Sequence, residues 1–224
     1  MASLTTNTGE LVTVLLSLAA TAIFHTPLAI LTLQILSIDL VGQLLPVTFL
    51  TWDPPQSKIM TEVPRHLKDH IFNKKTMLTM VWTGSLMGLI GFTNFLLLFY
   101  RNGISPFTVT GIDPFYLRAT TLTYVTLVVV SWVNIMSLRA GSETVFSRYA
   151  WSNKRLFLGY LVSLLFVLAL VYWPIAGDFL QTSPLTLVDW SYAILGGALY
   201  LFIHEAVKLF KNRKSVQKQE PSAA

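Results

Sequence analysis

Apolar residues crowd into six stretches of this chain, approximately Leu4 to Phe24, Leu28 to Leu50, Met77 to Tyr100, Tyr116 to Leu138, Leu156 to Trp173 and Trp190 to Phe210. Each supplies the ~20 residues that a bilayer-spanning helix needs, the first and fifth only narrowly. The pattern predicts an all-α membrane protein, a six-helix transmembrane bundle over residues 1–210. A basic, disordered cytoplasmic tail is expected over 211–224, where Lys and Gln replace the apolar residues. A water-soluble helical core is the competing reading, and six such segments leave it little room.

The exceptions to the apolar pattern are more informative than the pattern. Gln34-Ile-Leu-Ser-Ile-Asp-Leu-Val-Gly-Gln-Leu-Leu-Pro46 sets a carboxylate, amides and a proline inside the second stretch. A charged side chain at that depth costs at least ~2.5–3.5 kcal/mol on insertion scales, so Asp39 is expected to face the bundle interior or an ion path. His25-Thr-Pro27 predicts a tight helical hairpin, with Pro27 starting the second helix, where its missing N–H costs nothing. Trp52-Asp-Pro-Pro55 is expected to end that helix. Within it, Pro46 cannot donate to the carbonyl of Gly42, which is left free beside Asp39 and Gln43. Irregular backbone at membrane depth is tolerated where it lines a site, and free carbonyls there can coordinate a cation. A kinked helix without a ligand is the alternative. The coincidence of carboxylate and helix break favours the cation site.

Other stretches carry polar stripes at helical spacing: Asn7, Glu10, Thr13 and Ser17 in the first, and Thr120, Tyr124, Ser131 and Asn134 in the fourth. In lipid such stripes turn inward. Hydrogen-bonded helix packing would explain the hydroxyls equally well, but it explains Glu10 less well. Gly84-Ser-Leu-Met-Gly88 predicts a close helix–helix contact. His204 and Glu205 could form a second polar site, but pairing with basic groups at the membrane interface is the stronger expectation.

Composition agrees with a membrane location. The chain is 53% hydrophobic and 12% charged, against about 25% charge in a soluble domain. Of its 16 lysines and arginines, all but Arg101 and Arg118 lie between the second and third stretches, between the fourth and fifth, or from Lys208 at the end of the sixth onward. The positive-inside rule therefore predicts that both termini and the two basic loops are cytoplasmic. This orientation accounts for the basic residues without a nucleic acid, and none is expected as a partner. The first lysine is Lys58, so the opening stretch lacks the basic flank of a secretory signal. There is no cysteine, hence no disulfide framework or thiolate metal site. Phosphate-loop and HExxH patterns are missing. His66 and His70 are spaced i, i+4 in a basic loop, where solvation is the ordinary state.

Taken with Trp52-Asp-Pro-Pro55, Lys58-Ile-Met60 and Val63-Pro-Arg65, the segment from Gln34 to Pro46 resembles the sixth membrane helix and following loop of P-type cation-transporting ATPases. Thr6-Asn-Thr-Gly-Glu10 resembles the middle of that family's fifth helix, and Val130-Ser-Trp-Val-Asn134 its eighth. The resemblance covers nearly the whole chain in the right order, the last two helices matching only in hydropathy and position. It implies the cation-binding membrane half of a pump, with ligands at the positions of Asn7, Glu10, Asp39, Gln43, Ser131 and Asn134 and the backbone at Gly42. Two departures qualify this. Gly42-Gln43 stands where the family usually has Thr-Asp, so one expected carboxylate is a neutral amide. Ser131 is shorter than the family's usual side chain. Hard divalent ions favour several anionic oxygens, which weakens the case for calcium, and no metal is assigned.

The resemblance includes neither the family's phosphorylated aspartate nor its nucleotide-binding and actuator domains. Thr8-Gly-Glu10 matches the actuator's tripeptide in letters, but it lies in a membrane stretch and is not equated with it. Met1 aligns partway along the family's fifth helix, which suggests a fragment or half of a split gene. The expected function is a membrane module with a pump's cation site and no enzyme activity of its own. A cation is its one possible cofactor. Its expected partners are the lipid bilayer and a separate chain carrying the ATPase catalytic domains. The alternative is a non-transporting structural or regulatory membrane protein derived from that fold.

Overall fold

The computed structural model describes residues 1–53, 73–106, 113–141 and 144–217, and every regular element among them is a helix. Six helices are long and apolar enough to cross a membrane. In chain order these are α1 (Ala2–Phe24), α2 (Thr32–Trp52), α3 (Lys74–Arg101), α4 (Pro114–Ala140), α5 (Lys154–Tyr172) and α7 (Leu187–Gln217), with the short α6 (Pro174–Leu180) before the last. The loop holding Lys58, Arg65, His66, Lys68 and His70 lies outside the described residues, as does the tail after Gln217.

Helix α4 is the axis of the bundle. Helices α3 and α7 pack along it, and the middle of α2 crosses it. Its polar stripe is buried at Thr120, Tyr124, Ser131 and Asn134, but so are Leu122, Val125, Leu127 and Val128. A helix enclosed on all sides has no preferred polar face.

The closest approach is between α1 and α3, at the two glycines spaced for it. A Cβ on Gly88 would lie 2.5 Å from the Gly9 carbonyl oxygen, and one on Gly84 would lie 2.6 Å from the Thr8 Cβ. Only glycine allows this separation, and Thr13 Oγ1 uses it to donate to the Gly88 carbonyl at 3.3 Å. The expected close contact is present.

Helix α2 departs from the expectation at its start. Pro27 lies in the connection; the helix begins at Thr32 after an extended Leu31, whose N–H donates to the Gln34 side chain at 3.3 Å. The connecting residues fold back onto their neighbours instead of continuing as helix. The Ala29 N–H donates to Ser17 Oγ at 3.1 Å, and the Tyr116 hydroxyl donates to the Leu28 carbonyl at 2.9 Å. The other end is as expected: a tight turn over Leu50–Trp52 leads into Asp53 in extended backbone, the conformation favoured before proline.

Two ionic clusters hold the ends of the bundle. On the face that carries Met1, Arg139 at the end of α4 grips the Asp53 carboxylate, with Nε and Nη2 2.7–3.0 Å from its oxygens. Arg139 also donates to the carbonyls of Tyr149 and Ala150 and to Ser152 Oγ, while Asn153 donates to Asp53 at 3.1 Å. On the opposite face the fully buried Asp189 carboxylate is shared by Arg101 at 2.6 Å and Arg118 at 2.7 Å, and accepts the Thr186 N–H at 2.9 Å. Neither cluster was foreseen, because its members lie far apart in sequence. Glu205 pairs with Lys208 at 3.5 Å, in line with the expectation for that residue.

Candidate functional site

Residues Ile38–Leu44 of α2 form a π-helical turn rather than an unwound segment. The cause is local: Pro46 has no N–H for the Gly42 carbonyl, and the helix widens around the gap. The freed carbonyl does not stay open. Trp132 Nε1 of α4 donates to Gly42 O at 2.9 Å, and Ser163 Oγ of α5 donates to Val41 O at 2.5 Å. The backbone ligand expected at Gly42 is thus engaged by an indole. A Cβ at Gly42 would lie 3.2 Å from the Val128 side chain, a tight contact that Val128 would have to relieve by a few tenths of an ångström.

The π turn carries Asp39 and Gln43 on one face toward α1. Gln43 Nε2 donates to Asp39 Oδ1 at 2.9 Å. With its amide nitrogen turned to the carboxylate, Asn7 donates to the same oxygen at 3.2 Å and to the Ser3 carbonyl at 2.7 Å. Asn7 is exposed on its outer side, Asp39 is half-buried, and Gln43 is buried. One turn along α1, Glu10 is 4% exposed and close enough to interact electrostatically with Asp39. Glu10 Oε1 and Gln43 Oε1 have no hydrogen-bond partner among the described residues. Two carboxylates and two amides therefore meet between α1 and α2, with two buried acceptor oxygens unused. Buried acceptors of this kind are costly unless a proton, water or cation satisfies them.

The fourth-helix candidates lie elsewhere. Ser131 Oγ is turned onto its own helix, donating to the Val128 carbonyl at 2.7 Å. Asn134 Oδ1 accepts from the Tyr200 hydroxyl of α7 at 2.9 Å, and its Nδ2 has no partner among the described residues. Of the six residues singled out from sequence, hydrogen bonds join Asn7, Asp39 and Gln43, and Glu10 lies buried one turn from Asn7 on α1. Sequence reasoning missed Trp132 and Ser163, whose donors close the two backbone carbonyls; Trp132 lay in plain view between two of the candidates. Among the described residues no three His, Asp, Glu or Cys side chains converge, so a cation here would take two carboxylates and otherwise neutral oxygens.

Residues 27–210 match the family described as "Cation transporting ATPase, C-terminus". The chain is 30% identical over 201 residues to a calcium-transporting ATPase of Bacillus subtilis, covering 89% of this chain and 21% of the relative. It is 28% identical to calcium-transporting ATPase 1 of Bacillus cereus, covering 93% of this chain and 23% of that one. It is 24% identical to the sodium/potassium-transporting ATPase subunit alpha-4 of Rattus norvegicus, covering 92% and 22%. The chain belongs to the cation-transporting ATPase carboxy-terminal family, and it spans about a fifth of the length of these relatives. The matched region is their membrane-embedded carboxy-terminal domain, which holds none of the catalytic domains.

Proposed function

We propose that this member of the cation-transporting ATPase carboxy-terminal family is the cation-binding membrane half of a P-type pump, working with catalytic domains carried on another chain. The observation that carries the reading is the hydrogen-bonded Asp39–Gln43–Asn7 cluster with Glu10 buried one turn along α1 from Asn7, where Glu10 Oε1 and Gln43 Oε1 have no hydrogen-bond partner among the described residues. A cation beside them would offset carboxylate charge and give the amide oxygen a partner. With only two anionic groups, a monovalent ion or a proton suits the site better than a tightly held divalent ion. The exposed outer side of Asn7 marks the direction from which further ligands would complete it.

One observation favours the second reading, a structural or regulatory protein that has kept the fold and lost transport. Trp132 occupies the carbonyl of Gly42, and Ser131 and Asn134 are bonded away from Asp39. In that case Asp39 is protonated and hydrogen-bonded to Gln43.

Calorimetric titration of the purified chain with sodium, potassium and calcium separates the two, repeated on Asp39→Asn and Glu10→Gln. The pump reading expects saturable binding of at least one ion that both substitutions weaken. No saturable binding, or binding unchanged by Asp39→Asn, supports the structural reading. In either case the chain alone forms no acid-stable phosphoenzyme.

A further inference from the structure

Helix α6 has seven residues, so at 1.5 Å per residue it spans only about 10 Å and cannot cross a bilayer. It is held at the level where α5 ends. The chain leaves α5 through an extended Trp173, whose N–H donates to the Ala169 carbonyl at 2.9 Å. It returns just beyond α6, where Thr182 Oγ1 donates to the Leu170 carbonyl at 2.7 Å and the Ser183 N–H to Thr121 Oγ1 of α4 at 2.9 Å. Both ends of α6 are thus tied to the last turn of a membrane-spanning helix. Its two faces differ in burial. Gly177 and Leu180, three apart, are buried, whereas Ile175 and Phe179, four apart, are 73% and 68% exposed. Trp173 is 59% exposed, and Asp178, the one charged residue of the helix, is exposed as well. Trp173, Ile175 and Phe179 leave roughly 400 Å² of apolar side chain bare. That is half of the ~800 Å² that a protein partner covers at a standard interface, and lipid has no such minimum.

We infer that α6 is an interfacial anchor, with Ile175 and Phe179 inserted among the acyl chains just beneath the headgroups, in the leaflet on the face of Arg101 and Asp189, and with Asp178 left to water. Trp173 suits that depth, since indoles settle at the headgroup level. Residues 173–188 contain no lysine or arginine, so the attachment rests on apolar insertion and not on headgroup charge. The anchor is also joined to the bundle interior. Gln181, directly after α6, lends its carbonyl to Gln34 Nε2 near the start of α2 at 3.3 Å.

Depth-dependent quenching in phosphatidylcholine vesicles tests this on the full chain. The chain has no cysteine, so Ile175→Cys, Asp178→Cys and Phe179→Cys can each carry one environment-sensitive fluorophore. Leu165→Cys, at a 58% exposed position in the middle of α5, is the control for hydrocarbon depth. Labels at 175 and 179 are expected to be quenched about twofold more by lipid nitroxides at a shallow acyl carbon than at a deep one, and little by aqueous iodide. The label at 178 should respond to iodide, and the label at 165 to the deep nitroxide. Phosphatidylglycerol in place of half the phosphatidylcholine should leave the pattern unchanged. Iodide quenching at 175 and 179 equal to that at 178 would overturn the proposal, as would a depth equal to that at 165. Protection from iodide and from both nitroxides would overturn it in favour of a protein covering α6. A pattern seen only with phosphatidylglycerol would overturn it in favour of headgroup charge.

Discussion

The indole N–H of Trp132 donates to the carbonyl oxygen of Gly42 at 2.9 Å, taking the place of the backbone donor that Pro46 lacks. This donor–acceptor exchange between α4 and α2 lets a proline sit inside a membrane helix without leaving a bare carbonyl. Trp132→Phe should therefore lower stability by about 1–2 kcal/mol, the range for losing one buried hydrogen bond and a little packing. Pro46→Ala supplies an N–H in the helix itself. Combined with Trp132→Phe, it should recover part of the loss, measured as a double-mutant cycle by thermal unfolding in detergent. Strict additivity of the two losses would refute the exchange.

The α1–α3 contact should tolerate no side chain at its centre. Gly88→Ala drives a Cβ against the Gly9 carbonyl, a backbone atom that cannot rotate away, so the helices must separate. A loss of about 1–3 kcal/mol or more is expected, as for overpacked cores. At Gly177 an added Cβ would meet nothing closer than 3.5 Å, and Gly177→Ala should be nearly neutral. Unfolding midpoints of the two variants give the comparison directly.

Asp189 is fully buried while its two arginines are about a quarter exposed. Asp189→Asn leaves two guanidinium groups facing each other without their shared counterion. A loss of about 2–4 kcal/mol is expected, somewhat less than for a wholly buried pair because water reaches both arginines. Arg118→Lys keeps the charge but not the geometry of the Nε contact at 2.8 Å, and should cost less. If the two variants unfold at the same temperature, the carboxylate is not the keystone of this cluster.

Orientation can be read chemically because the chain contains no cysteine. Single cysteines at Asp113 and Asp178 should react with a membrane-impermeant reagent on intact cells, and one at Lys68 should not. The basis is the concentration of 14 of the 16 lysines and arginines in the other segments, counting all but Arg101 and Arg118. The reverse labelling pattern would invert the molecule in the membrane.

The six crossings were legible because bilayer thickness demands long apolar runs and the charges respect that limit. The close α1–α3 contact was legible from Gly84 and Gly88. The stripe at Ser131 and Asn134 was misleading for a physical reason: α4 is enclosed on every side, so its polar groups need not share a direction, and each found the nearest acceptor or donor. Pro27 was misassigned because proline suits a helix start as well as a loop. Local sequence does not record that Ser17 and Tyr116 hold the connecting backbone away from the helix. The exchange at Gly42 needed a partner 90 residues away, beyond the reach of any local pattern.

Arg139 ties together segments that are distant in sequence, and this has a mechanical consequence. Its bonds to Asp53, to the carbonyls of Tyr149 and Ala150, and to Ser152 pin the foot of α2 to the end of α4 and the approach to α5. A displacement of Asp53 is therefore carried through these bonds to the end of α4 and the approach to α5 as well as to α2. The π turn that holds Asp39 lies on the same helix, between this anchor and the start of α2.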